Sequence, residues 1–264
     1  GGGETPVAII RVPRERMVLA LCRVGDSEGE IAEARDYVSK AGYDLLDGVI
    51  PEDDEGIPPP QPTKATVEER RDLLREWSRD PWDFLTGRDT DGRALVWTKD
   101  EGDAEHPYKA FPSKPHLFRL TRDLWRDEEK VVLVDKSRQM MVSTLCCLLL
   151  LWLILFRKGR NCYISKQSRE LAVELMADKI IGPYERLPEW MRLTFPLEIT
   201  KQVVRATRTD SRITAVAQNA AVGAFRGNRA SVVLVDEAAF QEYFPQMIGA
   251  AKEMCDRLWA ITTA

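Results

Sequence analysis

The stretch VVLVDKSRQMMVSTLCCLLLLWLILFRKG, Val131 to Gly159, decides how this chain is read. It opens on a β-branched and aliphatic run that ends in an acid, as a buried strand does. It closes on twelve uninterrupted apolar residues, Leu145 to Phe156. A helix that spans a bilayer needs about 20. Ser143 and Thr144 precede the run, and Arg157-Lys158-Gly159 supplies the basic residues and glycine that stop helices in water. The pattern predicts a core helix buried on most sides, with no membrane span.

Between the strand and that helix lies DKSRQMMVST. A loop in this position of an α/β fold is where anions bind, because the helix N-terminus presents free N–H groups and the positive end of its dipole. A standard phosphate loop reads G-x-x-x-x-G-K-[ST]. Aligned on its end, this loop has Met141 for the second glycine and Val142 for the lysine, and only Ser143 keeps its type. The chemistry needs a cation on the phosphates, donors along the loop and a hydroxyl for a metal. Lys136, at the start of the loop, has the reach to fold back over it, and Arg138 is a second cation near a γ-phosphate. The nucleotide-binding candidates are therefore Lys136, Ser137, Arg138, Gln139, Met140, Met141, Val142, Ser143 and Thr144. Of these, the two methionines and Val142 serve packing rather than chemistry. For Gln139 the plain reading is a helix-start side chain that satisfies backbone groups.

About a hundred residues later, SVVLVDEAAF ends an apolar strand in two adjacent carboxylates, Asp236 and Glu237. This is the Walker B pattern, on a strand expected to neighbour the loop strand. Asp236 is the candidate to hold Mg2+ together with Ser143, with Thr144 a weaker choice. Glu237 is the candidate to polarise the attacking water. Acids after an apolar run also arise simply as helix N-terminal residues.

Short apolar strands alternate with helices from Val131 onward: 131–135, 161–165, 212–217, 231–236 and 258–264. That alternation predicts an α/β fold with a mainly parallel central sheet flanked by helices. Upstream, TVEERRDLLREWSRD reads as a charged helix whose apolar stripe is Leu73, Leu74 and Trp77. PEDDEGIPPPQPT, with five prolines and four consecutive acids, reads as a linker. The first fifty residues read strand–helix–strand, MVLALCRV, SEGEIAEARDYVSKAG and YDLLDGVI. The expected division is a small accessory α/β segment over 1–50, a linker over 51–65 and the main domain over 66–264.

Composition narrows the choices. A 264-residue chain with 44% hydrophobic and 30% charged residues suits one large domain with an attachment. Gly1-Gly2-Gly3 reads as a linker remnant, and no basic-then-apolar signal segment follows it. The five cysteines lack C-x-x-C spacing and fall mostly in apolar runs, so they read as reduced core residues. Two histidines make a His-rich metal site or a Ser-His-Asp triad a poor fit. The net charge of −4 hides an uneven spread: 26–56 carries eleven acids against two bases, and 201–230 six bases against one acid. The latter is a candidate phosphate-backbone surface or merely a solvated face.

Together these residues resemble the large terminase subunit, the packaging ATPase of tailed bacteriophages. KSRQMMVST resembles that family's S-R-Q-x-G-K-T loop at Ser137, Arg138 and Gln139, and its leading lysine resembles the deviant Walker A of the lambda-type terminases. VVLVDEAAF resembles the family's Walker B and catalytic carboxylate, AFRGNRA the Arg-Gly approach to it, and LWAITTA the coupling motif. DPWDFL and KAFPSKPHLFRLTRDLW resemble the segment that precedes the loop and closes over adenine. The resemblance covers about 80–264.

It implies a RecA-like/ASCE P-loop NTPase that hydrolyses ATP with Mg2+ to drive double-stranded DNA into a procapsid. Glu237 and Arg138 would be catalytic, and Thr262 and Thr263 would couple γ-phosphate to motion. Arg226 and Arg229 are possible arginine fingers, and otherwise ordinary surface residues. Implied partners are DNA, a portal protein, a small terminase subunit and further copies in a ring, in the host cytoplasm. The family's nuclease domain would follow the coupling motif, so no nuclease activity is expected from these residues. A helicase-type ATPase, and a nucleotide-binding domain whose loop has decayed, are the alternative readings.

Overall fold

The computed structural model describes residues 7–12, 18–22, 67–100, 102–126, 130–137, 140–220 and 229–263. The expected linker at 51–65, the expected helix and second strand of the first fifty residues, and Arg138, Gln139 and Arg226 lie outside them.

Eleven strands are present among the described residues, nine of them in one sheet. In chain order they are β1 (Val7–Val12), β2 (Val18–Cys22), β3 (Trp97–Lys99), β4 (Tyr108–Ala110), β5 (Val131–Lys136) and β6 (Asn161–Lys166). Then follow β7 (Leu197–Ile199), β8 (Val203–Ala206), β9 (Ser211–Ala217), β10 (Ala230–Asp236) and β11 (Cys255–Thr263). The large sheet runs β2-β1-β5-β11-β10-β6-β9-β8-β7. Its centre, β5-β11-β10-β6-β9, is parallel throughout. Antiparallel strands finish both edges, β1 and β2 beside β5 and β8 and β7 beside β9. The β1–β2 hairpin thus extends the same sheet that carries Val131–Lys136, so the sheet draws on chain from both sides of the proline-rich stretch. β3 and β4 form a separate hairpin.

The helices are α1 (Val67–Arg79), α2 (Pro81–Thr86), α3 (Pro115–Arg126), α4 (Val142–Phe156), α5 (Arg169–Met176), α6 (Gly182–Glu185), α7 (Glu189–Thr194) and α8 (Phe244–Met254). A π turn, Ala177–Ile181, joins α5 to α6. Helices lie on both faces of the sheet, which explains the continuous apolar strands. Alternate residues of β10 face opposite ways. Val232 and Leu234 join the core containing α4, and Val233 and Val235 join a second core with Met247 of α8.

α4 is the centre of the larger core. Every residue of it except Ser143 and Phe156 is buried. One side packs on β8, β9, β10 and β11, and the other on α2, α3 and the π turn. Trp152 is fully buried, donates its indole N–H to the Trp77 carbonyl at 2.7 Å and meets the Trp125 ring edge-on at 4.5 Å. The helix ends where the sequence predicts, with Gly159 at φ +65° in the left-handed region that favours glycine. No helix among the described residues is long and apolar enough to cross a membrane.

DPWDFL becomes α2. The Asp80 side chain accepts from the Trp82 N–H at 2.9 Å, Pro81 takes the first helical position, and Arg122 of α3 binds the other Asp80 oxygen at 2.9 Å. Its aromatic side chains pack into protein, Phe84 on Phe156 and Trp82 on Phe111 and Phe118.

Candidate functional site

Parallel strands end at a common edge. Here that edge carries Lys136 at the tip of β5, Thr262 and Thr263 on β11, Asp236 on β10 and Lys166 on β6, with α4 starting just beyond it. Crevices outside the carboxyl ends of such strands are where α/β folds bind ligands.

The loop departs from standard sequence but keeps a glycine-like turn. Met141, in the glycine position, has φ 56° and ψ 13°, a left-handed conformation that costs an L-residue ~1 kcal/mol. Met141, the N-cap residue of α4, makes no side-chain cap, and a helix N-terminus of this kind is suited to an anion. Met140 and Met141 pack against the main core, and Val142 is fully buried. Val142 therefore anchors the helix, and any phosphate-directed cation must come from elsewhere.

Ser143 is the one polar side chain of α4 that is not buried, and its Oγ donates to Asp236 Oδ1 at 2.7 Å. Thr144 faces inward and is buried, which favours Ser143 as the metal-directed hydroxyl. Asp236 is not on the strand next to β5, as expected from the sequence. β11 lies between them, so the acids stand two strand spacings, ~10 Å, from the tip of β5. The chain returns from β10 through α8 to a parallel strand, and that strand fills the gap.

Thr262 and Thr263 pair in register with Asp135 and Lys136. Lys136 Nζ donates to Thr263 Oγ1 at 3.3 Å, and among the described residues no carboxylate forms an ion pair with it. Thr262 Oγ1 and Asp135 Oδ1 are buried and have no hydrogen-bond partner among the described residues. The loop and coupling segments are thus in contact through Lys136 and Thr263.

The tip of β10 is tightly held. Gln241 donates one amide to two carbonyls, Asp236 O at 2.7 Å and Ser165 O at 3.1 Å, and accepts from Ser165 Oγ at 3.2 Å. Glu237 turns away from the strand at φ 57°, leaving its side chain 48% exposed beside the buried Asp236. One participant was not foreseen. Lys166 Nζ lies 3.0 Å from Asp236 Oδ2 and 3.8 Å from Glu237 Oε2. It falls one residue past the strand expected over 161–165, and its residue type gave no signal that set it apart.

His116 reaches the loop from α3 through a hydrogen bond to the Met140 backbone. Burial pushes its pKa below the ordinary value of 6.5, against the opposing effect of that hydrogen bond. Burial raises the thiols of Cys162 and Cys255 to about 12 and those of Cys146 and Cys147 further, which disfavours the reactive thiolate at these four positions.

Arg229 is not at this edge. It stands before the first residue of β10, a strand length of ~20 Å from Asp236, and binds Asp256 at 2.7 Å. In the basic stretch over 201–230, four described arginines have partners, and two of these, Arg205 and Arg229, pair with carboxylates. Arg205 binds Asp210 and Glu198, Arg212 binds Asn161, and Arg208 donates to the Thr194 carbonyl while covering Phe195.

No family model matches the chain, and no curated protein matches it. Among solved structures it is similar to the Thermus Phage P74-26 large terminase ATPase domain, at 16% identity and a TM-score of 0.40 over 53% of this chain and 61% of that one. It is also similar to the large terminase of a thermophilic bacteriophage, at 11% identity and a TM-score of 0.35 over 51% of this chain and 34% of that one. The chain therefore spans less than two thirds of either. Likeness at this level does not bear on chemistry.

Proposed function

We propose that this edge binds and hydrolyses ATP with Mg2+. The observation that carries the reading is the Ser143–Asp236 hydrogen bond, which joins the start of the loop helix to the first acid across an intervening strand. Among the described residues no three His, Cys, Asp or Glu side chains cluster as a metal site. A hydroxyl and a single carboxylate suit Mg2+, which keeps waters and takes its remaining ligands from phosphate. Bound there, Mg2+ would neutralise charge on the phosphate oxygens.

In this reading Ser143 and Asp236 hold the metal, and the first-turn N–H groups of α4 and the ammonium of Lys136 hold the phosphates. Lys136 is suited to this because its partner is a neutral hydroxyl that is easily exchanged. Glu237, half exposed beside the fixed Asp236, takes the proton of the attacking water. Arg138 would steady the charge of the transition state, and Gln139 and Ser137 would line the loop. Thr263, released by Lys136, and Thr262, with its unmatched hydroxyl, would report phosphate occupancy to β11. Arg226 and Arg229 would act only toward a neighbouring copy.

The wider role, packaging double-stranded DNA with a portal protein, a small subunit and further copies in a ring, rests on the terminase-like motifs. The domain division at 50 and 65 belongs to the same proposal. A decayed loop is the competing reading, and the left-handed Met141 speaks against it. Single-turnover hydrolysis tests the choice: Glu237→Gln should bind ATP as the parent does and turn over about 10²-fold slower or less. Hydrolysis by that variant at the parent rate would remove Glu237 from the mechanism, and none by the parent would favour the decayed loop.

A further inference from the structure

We propose that Lys166 is the resident counter-ion of the Asp236–Glu237 pair and competes with the divalent cation for it, so that the metal enters only as the ammonium leaves. This deepens the nucleotide-site reading and rests on it.

The ammonium sits between the carboxylates, at 3.0 Å from one and 3.8 Å from the other. The Lys166 and Asp236 side chains are only 15% and 5% exposed, so solvent screens their attraction weakly. Without Lys166, two adjacent acids would share one strand tip with, among the described side chains bonded to them, the neutral Ser143 hydroxyl. The arrangement is rigid by construction. Lys166 follows Ser165, whose carbonyl is clamped by the same Gln241 amide that clamps the Asp236 carbonyl, so ammonium and acid are presented from one fixed frame.

The candidate metal ligands and the ammonium use the same carboxylate. Asp236 offers Oδ1 to Ser143 and Oδ2 to Lys166, and a cation held by Ser143 and Asp236 meets the positive charge of Lys166 in the same space. A like charge at that distance opposes metal binding until the ammonium moves, and a triphosphate supplies the anionic oxygens that would draw it away. The site would thus disfavour bare metal and favour metal that arrives with nucleotide. The strand-end turn is positioned to register the change. Gln167, the next residue, donates to the Phe240 carbonyl at 2.7 Å, just after the acids.

The test uses Mn2+ alone, titrated into the full chain without nucleotide and followed by electron paramagnetic resonance of the free ion. Lys166→Met should bind Mn2+ about tenfold tighter than the parent, and Lys166→Arg, which keeps the charge, should stay near the parent. Adding Asp236→Asn to Lys166→Met should abolish the gain. Equal affinity in Lys166→Met and the parent would overturn the proposal, as would an equal gain in Lys166→Arg or a gain that survives Asp236→Asn. ATP hydrolysis is scored separately. A chain that gains Mn2+ affinity as described but never hydrolyses ATP upholds the competition and sinks the nucleotide reading. A chain that hydrolyses ATP without that gain does the reverse.

Discussion

Ser143 and Asp236 lie 93 residues apart in sequence and 2.7 Å apart in space. The contact links the loop helix to the acid-bearing strand past a strand that belongs to neither. Ser143→Ala removes the hydroxyl while Asp236 keeps Lys166 on its other oxygen. The folded state should therefore lose only ~1 kcal/mol by chemical denaturation. The Mg2+ concentration for half-maximal hydrolysis should rise by about tenfold or more. A variant that hydrolyses ATP with the parent's Mg2+ dependence would take Ser143 out of the metal site.

His116 makes stability depend on pH. Its folded-state pKa is depressed by burial, so the unfolded chain binds the proton more readily. The neutral form costs nothing above the unfolded value of 6.5, and the penalty grows as pH falls through that value toward the lower folded one. Melting temperature should fall more steeply between pH 7.5 and 5.5 in the parent than in His116→Asn. Parallel melting curves for the two proteins would show that the imidazole does not carry this dependence.

Trp152 fixes α4 to α1 and α3 at once. Trp152→Phe keeps most of the apolar contact but strands the Trp77 carbonyl and opens a gap beside Trp125. A loss of ~1–3 kcal/mol in denaturant unfolding is expected. Trp152→Ala should cost ~3–5 kcal/mol. A change below ~0.5 kcal/mol in the alanine variant would mean that the helix is not the packed centre described here.

The five parallel strands could be read from the chain to within three residues at either end, because a strand covered on both faces is apolar at every position. α4 was legible for the same reason, and its end at Phe156 from the Arg157-Lys158-Gly159 that follows. The strands missed were β1, β3, β4, β7 and β8. These lie at or near sheet edges or in a small hairpin, where short mixed runs such as Leu197–Ile199 lack the continuous apolar signature. DPWDFL was read through its resemblance as a cover for adenine. Its aromatic rings pack against Phe111, Phe118 and Phe156.

At the site, residue types announced themselves but partnerships did not. Asp236, Glu237 and Ser143 stood out by motif, and Lys136 by its charge in a glycine-poor loop. Nothing in ISKQSRE distinguishes Lys166 from any surface lysine. Its role appears only when β6 lies directly beside β10 and brings the two tips into register. Sequence counts charge without its partners: folding gave Arg205 the carboxylates of Asp210 and Glu198 and gave Arg229 that of Asp256, while Arg212 bonds the neutral Asn161.

The sequence alone determined which segments are strands buried on both faces, where the core helix begins and ends, and which residue types are available for phosphate and metal chemistry. These follow from local periodicity and composition, which a chain carries whether or not it is folded. Tertiary structure decided that β11 separates the loop from the acids, that Lys136 rests on Thr263, and that Lys166 neutralises Asp236. Strand order and side-chain pairing across it depend on long-range crossovers, and no window of neighbouring residues encodes them.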